Sequence, residues 1–150
     1  MLILVNQNQR TMKKRMPITT IMTSDVITLN PQTSSLEDAE ILFKKHKIRH
    51  IPVVSDTQVV GMLSYTDLLR VSFVDAVYED EEVDTTVYNM FSLHQVMVKN
   101  VVSIDASSTI KEVAEILATK EFHALPVTHN GKLVGIVTTT DLINYLLAQF

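Results

Sequence analysis

Hydrophobic and polar positions along this chain run through the same succession of periods twice. Val26-Ile27-Thr28-Leu29 is a short β-rich run that stops at Asn30-Pro31. Leu36, Ala39, Leu42 and Phe43 then recur at helical spacing, with Ser35 and Asp38 placed as a capping box, and this helix should stop near Lys47. Ile51-Pro52-Val53-Val54 predicts a strand with proline at its start, where a missing N–H is tolerated. Ser55 to Gln58 is a turn, Val59 to Leu63 a second strand, and Thr66-Asp67 opens a helix through Leu68, Leu69, Val71 and Val74.

The second half repeats that order. Val101-Val102-Ser103-Ile104 predicts the first strand, and Thr109 with Glu112 caps a helix whose apolar face is Ile110, Val113, Ala114 and Leu117. Leu125-Pro126-Val127 and Leu133 to Val137 predict two strands joined by His129-Asn130-Gly131-Lys132, where Asn-Gly is a strong hairpin signal. Thr140-Asp141 begins the last helix. Pro52 and Pro126, Gly61 and Gly135, and Asp67 and Asp141 are each 74 positions apart. Met22 and Met97, which precede the first strands, are 75 apart, so one residue is lost in the turn between. The chain is two copies of a β-α-β-β-α unit, and any site should come in pairs.

Composition narrows the picture. A chain of 150 residues is the size of one ordinary domain. Halves of about 60 residues are marginal alone, so the copies are expected to pack together and share a core. With no cysteine there is no disulfide, thiolate zinc site or cysteine nucleophile, which suits a reducing, cytoplasmic setting. A net charge of -4 argues against nucleic acid as the main partner. No apolar run reaches the roughly 18 residues that span a bilayer. Residues 1–17 are expected to be a loose or partner-docking tail. Residues 75–91 carry Asp75, Glu79, Asp80, Glu81, Glu82 and Asp84, and they suit a solvated linker or a contact for a cation or partner. His46, His94 and His129 lack neighbours at metal spacing, the three glycines form no phosphate loop, and no Ser-His-Asp or paired-carboxylate spacing points to catalysis.

Ile51-Pro52-Val53-Val54 with Val60-Gly61-Met62-Leu63-Ser64-Tyr65-Thr66-Asp67-Leu68 resembles the cystathionine-β-synthase (CBS) domain. So does Leu125-Pro126-Val127-Thr128 with Val134-Gly135-Ile136-Val137-Thr138-Thr139-Thr140-Asp141-Leu142. Each is preceded by a lead-in with methionine, Ile21-Met22-Thr23 and Val96-Met97-Val98. The tandem resembles a Bateman module, covering residues 18–74 and 92–150. The resemblance implies an α+β fold: a three-stranded sheet with two helices per repeat, and two repeats packed sheet to sheet about a pseudo-twofold axis. It also implies clefts between the repeats for adenosine compounds, and dimerisation into a flat disc.

Ser64-x-x-Asp67 and Thr138-x-x-Asp141 lie where a strand hands over to a helix. Backbone N–H groups there attract phosphate, and Asp can accept from both hydroxyls of a ribose, the role that the resemblance implies. The alternative is a Ser or Thr cap with an Asp favoured by the helix dipole. Arg49 and His50 match the positions from which basic residues of the family reach phosphates, while the second copy offers only His123. The alternative for these is solvated charge after a helix. Thr28, Leu29 and Asn30, with Ser103, Ile104 and Asp105, end the first strands, and Ile51-Pro52 and Leu125-Pro126 start the second ones. In the family such segments sandwich adenine; core packing is the competing account of their apolar members.

The expected function is that of a stand-alone regulatory module. It would bind AMP, ADP or ATP as ligand, with no cofactor, metal or catalysis, and signal to a second copy or a protein target. Its rivals are an S-adenosylmethionine sensor and a ligand-independent interaction module.

Overall fold

The computed structural model describes residues 15–73 and 88–150. Residues 1–14 of the expected tail and 75–87 of the expected acidic linker, together with Val74, lie outside the described residues. The chain divides into two compact units, Ile27–Val101 on one side and Val102–Phe150 with the segment that ends at Val26 on the other.

In the Ile27–Val101 unit, helix α1 spans Leu36–His46. Ser35 Oγ accepts from the Asp38 N–H at 3.1 Å while Asp38 Oδ2 accepts from the Ser35 N–H at 2.8 Å, closing the capping box. Lys47, left-handed at φ 52°, ends the helix. Strands β1 (His50–Ser55) and β2 (Gln58–Ser64) pair antiparallel. Helix α2 spans Tyr65–Phe73, and a single turn of helix, α3, spans Leu93–Val96. The core gathers Leu36, Phe43, Ile51, Val53, Leu63 and Leu68 with Leu93 and Met97.

The other unit holds β3 (Ile104–Asp105), α4 (Ile110–Thr119), β4 (Ala124–His129), β5 (Lys132–Thr138) and α5 (Thr139–Leu147). Asn130 and Gly131, both at positive φ, form the two-residue turn between β4 and β5, as the Asn-Gly pair requires. The register slips by one residue at matching points of both hairpins, between Val53 and Val54 and between Val127 and Thr128, so Val60 and Val134 are the extra residues of two equivalent bulges. Thr109 Oγ1 and Glu112 cap α4 in a box. Thr109→Ala should therefore cost about 0.5–2 kcal/mol, read as a lowered urea midpoint at unchanged slope.

The first strand of each copy is shorter than its β-rich sequence predicts. Only Leu29 bridges Val53, its N–H donating to the Pro52 carbonyl at 3.0 Å and its carbonyl accepting from the Val54 N–H at 2.8 Å. To extend this parallel ladder backwards, the Ile27 carbonyl would need the N–H of residue 52, which proline lacks. Pro126 imposes the same limit on the second copy. Pairing there begins at Ile104 opposite Val127 rather than at Val101, and it leaves Ser103 outside the strand.

Each unit takes in the lead-in that precedes the other copy. Thr23 and Ile136 exchange two backbone hydrogen bonds of 2.9 Å, and Met62 and Val98 exchange two of 3.0 and 2.9 Å. A Cβ on Gly135 would lie 2.4 Å from Met22 Sδ, and a Cβ on Gly61 would lie 2.4 Å from Met97 Sδ. The repeated glycines are therefore seats for the repeated methionines. Among the described residues the buried hydrophobic side chains gather in two clusters, one within each unit. The cluster around Leu125 and Val137 is completed by Ile18, and the one around Ile51 and Leu63 by Leu93 and Met97.

Candidate functional site

The hand-over from β2 to α2 is fixed by three hydrogen bonds. The Tyr65 N–H donates to the Arg49 carbonyl at 2.8 Å, which starts the helix one residue before the expected Thr66. Ser64 Oγ accepts from the Asp67 N–H at 3.0 Å, and Asp67 Oδ2 accepts from the Ser64 N–H at 3.2 Å. The copy at β5 and α5 is built alike. The Thr139 N–H donates to the His123 carbonyl at 3.0 Å, Thr138 Oγ1 accepts from the Asp141 N–H at 3.2 Å, and Asp141 Oδ2 accepts from the Thr138 N–H at 2.8 Å. Thr138 Oγ1 also lies 3.1 Å from that carboxylate oxygen.

Both carboxylates thus form capping boxes, and each box uses one oxygen. The second oxygens differ. Asp67 Oδ1 sits 3.5 Å from Arg70 Nη1. For Asp141 Oδ1 no protein partner is found among the described residues. Capping and ribose recognition are therefore compatible: Oδ2 holds the helix start, and a hydroxyl could donate to Asp141 Oδ1, or to Asp67 Oδ1 once Arg70 is displaced. Arg70 did not figure in the sequence reading, although its i,i+3 spacing from Asp67 was there to be read.

Other candidates assemble along the strands. His50 lies opposite Ser64 in the β1–β2 register, as Ala124 lies opposite Thr138. Arg49 and His123 are exposed and His50 is half-buried. Leu29 brings Thr28 and Asn30, both exposed, beside Pro52, and Ile104 holds the equivalent place next to Pro126 and Val127. Ile51 and Leu125 point their side chains into the cores, and Pro52 and Pro126 are buried, so these four offer a ligand backbone and proximity rather than an open apolar wall.

Asn30 and Asp105 organise the turns that follow. Asn30 Oδ1 accepts from the N–H groups of Gln32 and Thr33 at 2.9 and 3.3 Å. Asp105 Oδ2 accepts from the Ser107 hydroxyl at 2.5 Å and the Ser107 N–H at 2.8 Å. The Ser107 hydroxyl, and then its N–H, hold the Asp105 carboxyl below its usual range. The folded pKa is depressed, so this turn's contribution is present at neutral pH and is lost as pH falls through the folded value. Among the described residues there is no group of three or more His, Cys, Asp or Glu able to hold a metal, and no helix long and apolar enough to cross a membrane.

The CBS domain family model matches residues 18–73 and 93–148, both copies of the repeat. The chain belongs to the CBS domain family. Its two CBS repeats are 28% identical over 131 residues to protein MJ1225 of Methanocaldococcus jannaschii, a match over 87% of this chain and 42% of that protein. The crystal structure of MJ1225 superposes with a TM-score of 0.75 at 26% identity, covering 89% of this chain and 48% of that one. CBSX2, solved in complex with AMP, superposes with a TM-score of 0.73 at 24% identity over 89% of this chain and 98% of that one. The CBS pair of protein MJ0100, solved with 5′-methylthioadenosine and S-adenosyl-L-methionine, gives a TM-score of 0.71 at 21% identity over 87% and 98% of the two chains. At those identities the last two show a shared α+β fold of paired CBS repeats. The chain spans less than half the length of the first curated relatives it matches, from 42% down to 22%.

Proposed function

We propose that this chain is a regulatory module that binds an adenosine-containing ligand at the Asp67 and Asp141 corners and passes occupancy to a second copy or a partner protein. The observation that carries the reading is the repeated corner. Each unit places a carboxylate at a helix start and spends one oxygen on the cap; the other oxygen faces Arg70 Nη1 at 3.5 Å in Asp67 and has no protein partner among the described residues in Asp141. Ribose hydroxyls suit the second carboxylate oxygen, and a phosphate suits the helix start. AMP, ADP and ATP are favoured over S-adenosylmethionine because Arg49 and His50 add donors for phosphate in the first copy. No residue set here is assigned to catalysis, and the ligand acts by occupancy alone. It can shift a conformational or association equilibrium only by its differential affinity for the two states.

A thermal-shift series with AMP, ADP, ATP, S-adenosylmethionine and adenosine tests this reading. A ligand at a hundred times its dissociation constant should stabilise the folded chain by about 2.7 kcal/mol, a rise of several degrees. No shift with any of them rejects the proposal.

A second reading, of an association module indifferent to nucleotide, is favoured by one observation. Ile143, Leu146, Leu147 and Phe150, on or just after α5, are exposed apolar side chains. Light scattering separates the two: a dimer whose mass and dissociation do not respond to nucleotide supports association alone.

A further inference from the structure

The segment that ends at Val26 belongs to the unit of Val102–Phe150. Its backbone is held there by the two 2.9 Å hydrogen bonds between Thr23 and Ile136. Its side chains are held by Ile18, buried in the core cluster, and by Met22, packed against that cluster. Met22 Cγ and Cε lie 3.0 and 3.1 Å from the place a Cβ would take on Gly135, and Sδ lies nearer still. With the sulfur nearest and both carbons equally far, the thioether lies flat across the bare Cα. One face of the sulfur is covered by the glycine, and the other is turned away from it.

Met97 lies on Gly61 in the same way, with Cγ and Cε both at 3.0 Å. What differs is access. Met97 and Met62, of the Ile27–Val101 unit, are 6% and 7% exposed, whereas Met22 is half-buried. Met16 is half-buried too, but its sulfur accepts from the Tyr145 hydroxyl at 3.5 Å.

We infer that Met22 is an oxidation site, at which a peroxide-class oxidant converts the thioether to the sulfoxide and releases the segment 15–26 from its unit. With hydrogen peroxide, a sulfur lone pair attacks one peroxide oxygen, and an S–O bond forms as the O–O bond breaks. Sulfur loses two electrons, and the hydroxide that leaves takes the proton of the new S–OH to become water. The product is polar where the thioether was apolar. On the covered face there is no room for an oxygen, since the seat already excludes a single carbon beneath the sulfur. On the outer face the oxygen needs a donor. The N–H groups of Thr23 and Ile136, next in sequence to Met22 and Gly135, are spent on each other's carbonyls, and the Met22 N–H is spent on the Ile18 carbonyl. Water solvates the S–O group best once the side chain lifts off the glycine. A sulfoxide at Met16 would instead keep its hydroxyl donor, because a thioether is the weaker acceptor of the two. The latch works whether or not the Asp141 corner holds a ligand.

Peroxide titration of the full native chain, with the oxidised sites located by peptide mass spectrometry, tests this. Met22 should oxidise faster than Met97 and Met62 by about tenfold or more, because buried sulfurs wait for local opening. Amide exchange at Thr23 and Ile136 should then quicken by about tenfold or more, the scale of one overpacked core contact, while exchange at Met62 and Val98 stays as it was. Methionine sulfoxide reductases for both epimers should restore the slow exchange. Met22→Leu should make exchange at Thr23 and Ile136 insensitive to peroxide, and Met22→Gln, polar from the outset, should show the fast exchange without it. Met22 oxidising no sooner than Met97 overturns the inference, as does a Met22 sulfoxide that leaves exchange at Thr23 and Ile136 unchanged. A peroxide response that persists in Met22→Leu also overturns it, by assigning the effect to another methionine.

Discussion

Gly61→Ala should destabilise the protein by about 1–3 kcal/mol, although alanine favours a strand no less than glycine does. The new methyl would sit 2.4 Å from Met97 Sδ. Met97 is itself only 6% exposed, so its thioether must leave its place in the core to make room. Gly135→Ala meets Met22 at the same distance but should cost less, because Met22 is half-buried and its flexible side chain has somewhere to go. Coupling is the sharper measurement. Met97→Ala alone opens a cavity over Gly61 and should cost about 2–5 kcal/mol. In the double variant the alanine methyl at 61 sits in the space the thioether has left. The two changes should therefore cost less together than their sum by about 0.5–3 kcal/mol in urea unfolding. Additive costs would show that glycine is not there to seat the methionine.

Asp141→Ala should lower the affinity for an adenosine ligand by about ten- to a hundredfold, or about 1.5–3 kcal/mol, through loss of the acceptor for ribose hydroxyls. It also removes half of the capping box on α5, where Asp141 Oδ2 accepts from the Thr138 N–H at 2.8 Å, and so should cost about 1 kcal/mol of stability. Asp141→Asn separates the two effects. The amide oxygen can still accept from Thr138 and keep the helix start, while the second carboxylate oxygen becomes an NH2 donor that cannot accept a hydroxyl. A variant with near-normal unfolding and weakened ligand binding supports the ribose contact. Calorimetric affinities unchanged in both Asp67→Ala and Asp141→Ala would leave the pair as caps only.

Much of the fold was legible because its signals are local. The boxes of Ser35 with Asp38 and Thr109 with Glu112, the turn at Asn130-Gly131 and the stop at Lys47 each rest on residues within four positions of one another, and the backbone answers to them directly. The carboxylate corners were legible for the same reason. The first strands were read too long because the limit is set across the sheet: Pro52 and Pro126 withhold the N–H groups that earlier residues of the neighbouring strand would need. Arg70 was missed because an i,i+3 pair on a helix face is commonplace, and only the unequal surroundings of the two corners give it meaning.

By itself, the sequence determined that one β-α-β-β-α unit occurs twice, where its helices and turns fall, and which paired residues mark equivalent corners. Tertiary structure alone decided which unit each lead-in joins. Met22 docks on Gly135 and Met97 on Gly61, so the segment ahead of each copy completes the sheet and core of the other. The physical reason is that seating a thioether on a bare glycine is a long-range fit of shape. Repeated letters reveal that glycine and methionine matter in both copies, yet with two identical seats and two identical side chains they leave open which fills which.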